Sequence, residues 1–199
     1  MNARVSHSLL LRSSEVLTDA DLVARARGGD RWGREMIYRR HAGRLLGMAA
    51  RLLGNRGDAE EILQDTFVTA FAELPALREP AALGGWLGQI AVSLVRRRIR
   101  RARLLRLFGL DRGASDATLE SLAALGARPD ERAELALVDR VLGRLPPAAR
   151  IAWMLRRVEG LALDEVAALC ACSLATAKRR IGEADRSIRL HVGGPEVQP

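Results

Sequence analysis

Apolar residues recur at three- and four-residue spacings through most of this chain, which is the period of an amphipathic helix. The stretch from Asp58 to Arg103 shows it most fully. In DAEEILQDTFVTAFAEL, Ile62, Leu63, Phe67, Ala70, Phe71 and Leu74 make one apolar stripe, while Glu60, Glu61, Gln64, Asp65 and Glu73 take the other side. The pattern predicts a rod of roughly 25 Å with one acidic face. Asp58 is expected to cap it, with Glu61 completing a capping box. A loop with prolines and glycines, Pro75 to Gly85, is expected to break the helices. A second helix is predicted from Trp86 to about Arg103, and Arg96, Arg97, Arg98, Arg100, Arg101 and Arg103 crowd its exposed end.

The same spacing predicts helices on both sides of this stretch. Thr18 and Asp21 form a capping pattern for a helix over Asp19 to Arg27, broken at Gly28-Gly29-Asp30. A longer helix is expected over Arg31 to Leu53, ended by Gly54-Asn55. Its inward residues are expected to include Trp32, Met36, Ile37, Tyr38, Leu45 and Leu52. His41 on that helix reads as a surface or packing residue rather than a ligand.

From Arg103 to Glu131 no period persists, and short apolar pieces mix with Gly, Ser, Asp and Pro. That predicts a flexible linker with one helical turn at Leu119 to Leu125. So long a loop is uncommon inside one domain, which argues for two. Beyond it come a helix over Arg132 to Arg144 and another from about Ala148, carrying Ile151, Met154, Leu155 and Val158. A short helix over Leu161 to Leu169, a turn at Ala171-Cys172-Ser173 and a long helix from Leu174 to about Val192 follow, with Ser173 as N-cap. Short helix, tight turn and long basic helix is the helix-turn-helix pattern. Its second helix is expected to expose Thr176, Lys178, Arg179, Arg180, Arg186 and Arg189.

The expected fold is therefore all-α: two small helical domains joined by a flexible linker, the C-terminal one a helix-turn-helix. The boundaries are an N-terminal extension over residues 1–17, a first domain over 18–102, a linker over 103–131, a second domain over 132–192 and a tail over 193–199.

Charge adds the class of partner. The chain of 199 residues carries a formal charge of +8, and its pI near 11.1 points to a polyanion. Lys178 is the only lysine, so nearly all the positive charge is arginine, which binds phosphate and base edges in bidentate fashion. Cys170 and Cys172 are too few for a disulfide framework, and their C-x-C spacing at a helix end turns them apart, so no metal or other cofactor is expected. No apolar run reaches membrane-spanning length and no clear signal peptide is present, which predicts a cytoplasmic protein without membrane insertion. No Gly-rich phosphate loop, metal-spaced carboxylate cluster or nucleophile–base set stands in the sequence, so a non-enzymatic role is expected.

Two groups of segments resemble one family. TDADLVARARGGD, IYRRHAGRLLGMAARLLGNRGDAEEILQDTFVTAF and WLGQIAVSLVRRRIRR are similar to the first conserved domain of bacterial extracytoplasmic-function sigma factors. RLPPAARIAWMLRRVEGLALDEVAALCACSLATAKRRIGEADRSI is similar to their second. The resemblance covers about residues 18 to 101 and 133 to 190. It implies binding to core RNA polymerase, promoter recognition at the minus-ten and minus-thirty-five elements, and control by an anti-sigma factor. By position, Glu61, Gln64 and Asp65 would face core polymerase. The loop Ala76 to Leu83 would capture a flipped minus-ten base, with Leu83, Trp86 and Ser93 near the melted strand and Arg96, Arg97, Arg98, Arg100 and Arg101 on phosphates. For Trp86 the rival role is core packing. Ser173, Thr176, Lys178, Arg179, Arg180, Gly182 and Glu183 would form the minus-thirty-five surface. Glu183 could read a cytosine or pair with Arg179 or Arg186 on its own helix.

The sequence departs from the family pattern at Leu83-Gly84-Gly85, at Ser93, at Ala162 where a Ser cap is common, and at Gly182-Glu183. A transcriptional regulator that binds DNA without being a polymerase subunit is the alternative, and the acidic helix next to an arginine run argues against it.

Overall fold

A computed structural model describes residues 17–108 and 129–192. Among these residues the regular structure is helical: α1 Asp19–Arg27, α2 Arg31–Leu53, α3 Arg56–Glu73, α4 Leu83–Leu107, α5 Pro129–Arg144, α6 Pro147–Arg157, α7 Leu163–Leu169 and α8 Leu174–Val192. Two 3₁₀ turns, Leu74–Ala76 and Pro80–Ala82, join α3 to α4. The expected extension, the turn at Leu119 to Leu125 and the tail lie outside the described residues.

Local chemistry sets most of the boundaries. Thr18 caps α1 with the reciprocal box to Asp21, whose carboxylate accepts from the Thr18 N–H at 2.9 Å. Gly54 ends α2 in the left-handed region at φ 70°. The cap of α3 differs from the expected one. Asn55 accepts from the N–H groups of Gly57 and Asp58, so the helix starts before Asp58, which lies in its first turn. Asn is as good a cap as Asp and comes first in the chain.

Gly84 and Gly85 do not break the chain either; they lie in the first turn of α4. A β-carbon on Gly84 would sit 3.3 Å from His41 Cε1, and its carbonyl accepts from Arg44 Nη2 at 2.8 Å. Here glycine serves the close approach of α2 and α4 rather than a turn. At its other end α4 runs past Arg103 to Leu107, shortening the expected linker.

The first unit packs α1, α3 and α4 around α2. Leu22, Val23, Ile37, Leu45, Leu52, Phe67, Leu83, Leu87 and Val95 are buried in it. Each fully buried large aliphatic side chain contributes roughly 1.5–3 kcal/mol. Trp32 and Tyr38, expected inside, are 44% and 43% exposed. Trp32 lies under the Arg25 guanidinium at 5.1 Å, and Tyr38 lays its ring against Phe67 at 4.8 Å. His41 is buried and its Nε2 meets Asp19 at 3.2 Å, which makes it a packing residue.

The second unit folds α5, α6 and α7 against α8. Leu142, Ile151, Met154, Leu155, Val166 and Ala177 are buried in it, while Val158, just past the end of α6, is exposed. Glu165 accepts the Ala162 N–H at 2.7 Å, but Ala162 has no side-chain oxygen to return the cap of α7.

Candidate nucleic-acid interface

Three surfaces gather the residues singled out in the sequence. On α3, Gln64 and Asp65 are exposed. Glu61 is exposed as well, but it already has a partner: Arg98 of α4 donates from Nη1 to Glu61 at 3.0 Å and from Nη2 to Asp58. Partial burial of Arg98 disfavours its charge, yet the two carboxylates outweigh that and raise its pKa. Arg98 therefore braces α4 to α3. Glu61, Asp65, Arg97, Arg98 and Arg101 line a cleft of about 210 Å³ between the two helices.

On α4, side chains three and four apart make an exposed line. Gln89, Ser93, Arg97 and Arg100 are exposed, and Trp86 at the head of the line is half-buried. Arg101 is exposed beside it. Trp86 also packs on the core, so both roles suggested for it meet in one side chain. Gln89 was missed in the sequence; the spacing from Trp86 to Ser93 was the signal for it. Leu83 corrects the expectation in the other direction. Its exposure is 0%, so it is a core residue and offers no side chain to DNA in this conformation. Arg96 is half-buried, and its Nε is buried without a hydrogen-bond partner.

The loop before α4 is fastened from beneath. Arg27 donates to the carbonyl of Leu74 at 3.2 Å and to that of Leu77. Leu77 is buried, while Ala76, Arg78, Glu79, Ala81 and Ala82 are exposed.

On α8, the Ser173 oxygen accepts the Thr176 N–H at 3.2 Å and so caps the helix. The preceding turn holds Ala171 at φ 48°, a backbone state that L-residues avoid. Lys178, Arg179, Glu183 and Arg186 are exposed. Among the described residues no ion pair joins Glu183 to Arg179 or Arg186. A β-carbon on Gly182 would meet nothing nearer than Arg186 Nη1 at 3.9 Å, so this side of the helix is open to close approach. A hollow of about 730 Å³ runs along it, lined by Arg156, Arg157, Lys178, Arg179 and Arg186 among others.

Asp185 fixes the orientation of α8. It accepts from Trp153 Nε1 and Arg157 Nη2, both at 2.8 Å. Burial alone would raise its pKa, but these two donors more than offset that and hold the carboxyl below its usual range. In the turn, burial and then Cys172 push the Cys170 thiol up to about 11, against the lowering charges of Arg180 and Arg96. Among the described residues no three His, Cys, Asp or Glu side chains are placed to hold a metal, and no helix is long and apolar enough to cross a membrane.

Comparison with known proteins identifies the family of the chain. The Sigma-70 region 2 family matches residues 37–104, and the Sigma-70 region 4 family matches residues 135–184. The chain is 31% identical over 182 residues to the ECF RNA polymerase sigma-E factor of Escherichia coli strain K12, covering 88% of this chain and 94% of that one. It is 31% identical over 153 residues to the ECF RNA polymerase sigma factor SigE of Mycolicibacterium smegmatis, covering 77% of this chain and 59% of that one. The fold is shared, at a TM-score of 0.58 and 22% identity, with the sigma factor RpoE of Bartonella quintana, solved in complex with the anti-sigma factor NepR; the match covers 81% of this chain and 98% of that one. With matches to regions 2 and 4 in order and relatives aligned along most of its length, this chain belongs to the ECF family of RNA polymerase sigma factors.

Proposed function

We propose that the chain docks on core RNA polymerase through α3 and reads promoter DNA with α4 and α8. Gln64 and Asp65, with Glu61 held beside them by Arg98, form the docking edge. Trp86, Gln89, Ser93, Arg97, Arg100 and Arg101 meet the minus-ten element, and the loop Ala76 to Leu83 faces an unpaired base with its exposed residues Ala76, Arg78, Glu79, Ala81 and Ala82. Lys178, Arg179, Gly182 and Glu183 meet the minus-thirty-five element, with Ser173 and Thr176 setting the start of the helix. Opening DNA needs no catalytic residue, because binding the unpaired strand supplies the driving force. The chain acts in the cytoplasm without chemistry of its own. Its two functional units are residues 18–102 and 132–192, and its regulator is a protein of the anti-sigma kind.

The observation that carries this reading is the exposure of an acidic edge on α3 and a cationic line on the neighbouring α4. One unit thereby presents opposite charge to two partners. The test is a pull-down with purified core polymerase, followed by run-off transcription on candidate promoters. Co-purification and a promoter-dependent transcript are expected. DNA binding without polymerase binding contradicts the reading and favours an ordinary helix-turn-helix regulator.

A further inference from the structure

One face of α4 changes chemistry along its length. Trp86, Gln89, Ser93, Arg97 and Arg100 follow one another at three- and four-residue steps. The next positions at the same steps are Leu104, Leu107 and Phe108. Leu104 is 54% exposed, and Leu107 and Phe108 are 74% exposed each. Leu105 beside them is exposed too. Exposed aliphatic residues such as Val68, Leu174 and Leu190 stand apart from one another along the chain, and such residues need no partner. Four large apolar side chains within five positions at one helix end make a patch, and a patch does.

Arginine frames this patch. Arg100, Arg101, Arg103 and Arg106 are exposed around it. From Trp86 to Phe108 the sequence holds no Asp or Glu. The surface therefore fits an occupant that is anionic and offers apolar groups between its charges.

Length decides where that occupant lies. From Trp86 to Phe108 the line spans roughly 33 Å at about 1.5 Å per residue. At ~3.4 Å per base pair this matches roughly ten pairs, about one turn of duplex. A straight helix cannot follow a groove around a full turn, so its two ends meet different parts of the DNA. With Trp86, Gln89 and Ser93 on the minus-ten element, the Leu104 to Phe108 end lies beyond it. Phe108 leads on toward the unit that carries α8, whose proposed element is the minus-thirty-five. This end of α4 therefore lies over the paired spacer between the two elements. The apolar group that paired DNA displays is the thymine 5-methyl in the major groove.

We propose that the last two turns of α4 make a third promoter contact, in which Leu104, Leu107 and Phe108 take up thymine methyl groups just upstream of the minus-ten element while Arg103 holds a spacer phosphate. The inference rests on the promoter role proposed above for α4 and adds a base preference outside both elements.

The test uses holoenzyme assembled from core polymerase and the full chain, transcribing a promoter library randomised through the spacer. Wild type is expected to favour thymine about fourfold at one or two positions next to the minus-ten element, the effect of burying one methyl group. Deoxyuridine in place of that thymine removes only the methyl and is expected to abolish the preference. Leu104→Ala with Phe108→Ala is expected to flatten the library at those positions and to use thymine and deoxyuridine templates equally. Both side chains are exposed, and circular dichroism checks that helix content is kept. A flat spacer library in wild type, or equal use of thymine and deoxyuridine by wild type, overturns the proposal. A thymine preference that survives the double variant overturns it as well, and weaker binding of core polymerase by that variant would then place the patch against protein. A library that yields no polymerase-dependent transcript refutes the promoter-subunit reading itself. Transcripts with a flat spacer refute this contact alone, so the two failures are told apart.

Discussion

The helices α4 and α8 both carry arginine, and they hold it differently. On α4 the charge run is partly committed to the protein itself. Arg98 is bound by Asp58 and Glu61, and Arg96 is half-buried. On α8 the outward cations Lys178, Arg179 and Arg186 stand exposed, and the carboxylate of Asp185 holds Arg157 of α6 instead. A run of like charge in a sequence therefore overstates the phosphate ligands it supplies. Spacing along the helix sorts them: Arg97 and Arg100 share the exposed line with Gln89 and Ser93, and Arg98 does not.

Reversing the docking edge has the largest expected effect. In the docking proposed above, Asp65→Arg replaces an attractive contact by a like-charge one, which costs several kcal/mol. Asp65 is exposed, so helix content measured by circular dichroism should not change. Equal polymerase affinity in the folded variant removes α3 as the docking helix.

Next comes the brace beneath α8. Asp185→Ala leaves Trp153 Nε1 and Arg157 without their acceptor and should cost about 1–3 kcal/mol of stability, read by denaturant unfolding. The pH dependence has a definite sign. Asp185 has a lowered pKa in the fold, so its stabilisation is complete above the ordinary carboxylate value of 3.8 and is lost as pH falls through the lower folded value. Wild type should lose stability in that acid window, and Asp185→Ala should lose less. Parallel stability curves contradict the assignment.

A smaller effect separates the two units by what they read. Among the described residues Glu183 makes no ion pair with Arg179 or Arg186, so in the proposed reading its exposed carboxylate can accept from cytosine N4. Glu183→Gln or Glu183→Ala should relax discrimination at one minus-thirty-five position by about 1 kcal/mol or more in a base-by-base promoter library. Uniformly tighter binding at every sequence would mean that Glu183 only repels phosphate.

Much of this architecture was legible in the sequence. The caps at Thr18 and Ser173 and the stop at Gly54 are local chemistry, and the bounds of α1, α2 and α8 follow from them. Sequence and structure part where local rules compete or distant residues decide. Asn55 and Asp58 are both good caps, and only the fold shows which one is used. Gly84-Gly85 reads as a break until His41 Cε1 is seen 3.3 Å from where a β-carbon on Gly84 would sit. Leu83 belongs by sequence to a recognition loop, yet its helical register turns it into the core. The Arg98 brace joins α4 to residues 37 and 40 positions earlier, and the Arg51–Glu159 pair spans 108. Neither is encoded in any local pattern.

The division of arginines on α4 is tested most directly by salt. Holoenzyme binding to promoter DNA is measured across a salt series for wild type, for Arg97→Ala with Arg100→Ala, and for Arg98→Ala. Removing one phosphate-binding side chain should lower the salt slope by about 0.7 to 0.9. The account predicts a fall of roughly two such steps for the Arg97 and Arg100 pair, and an unchanged slope for Arg98→Ala. An equal fall per residue in Arg98→Ala, or no fall in the pair, would contradict it.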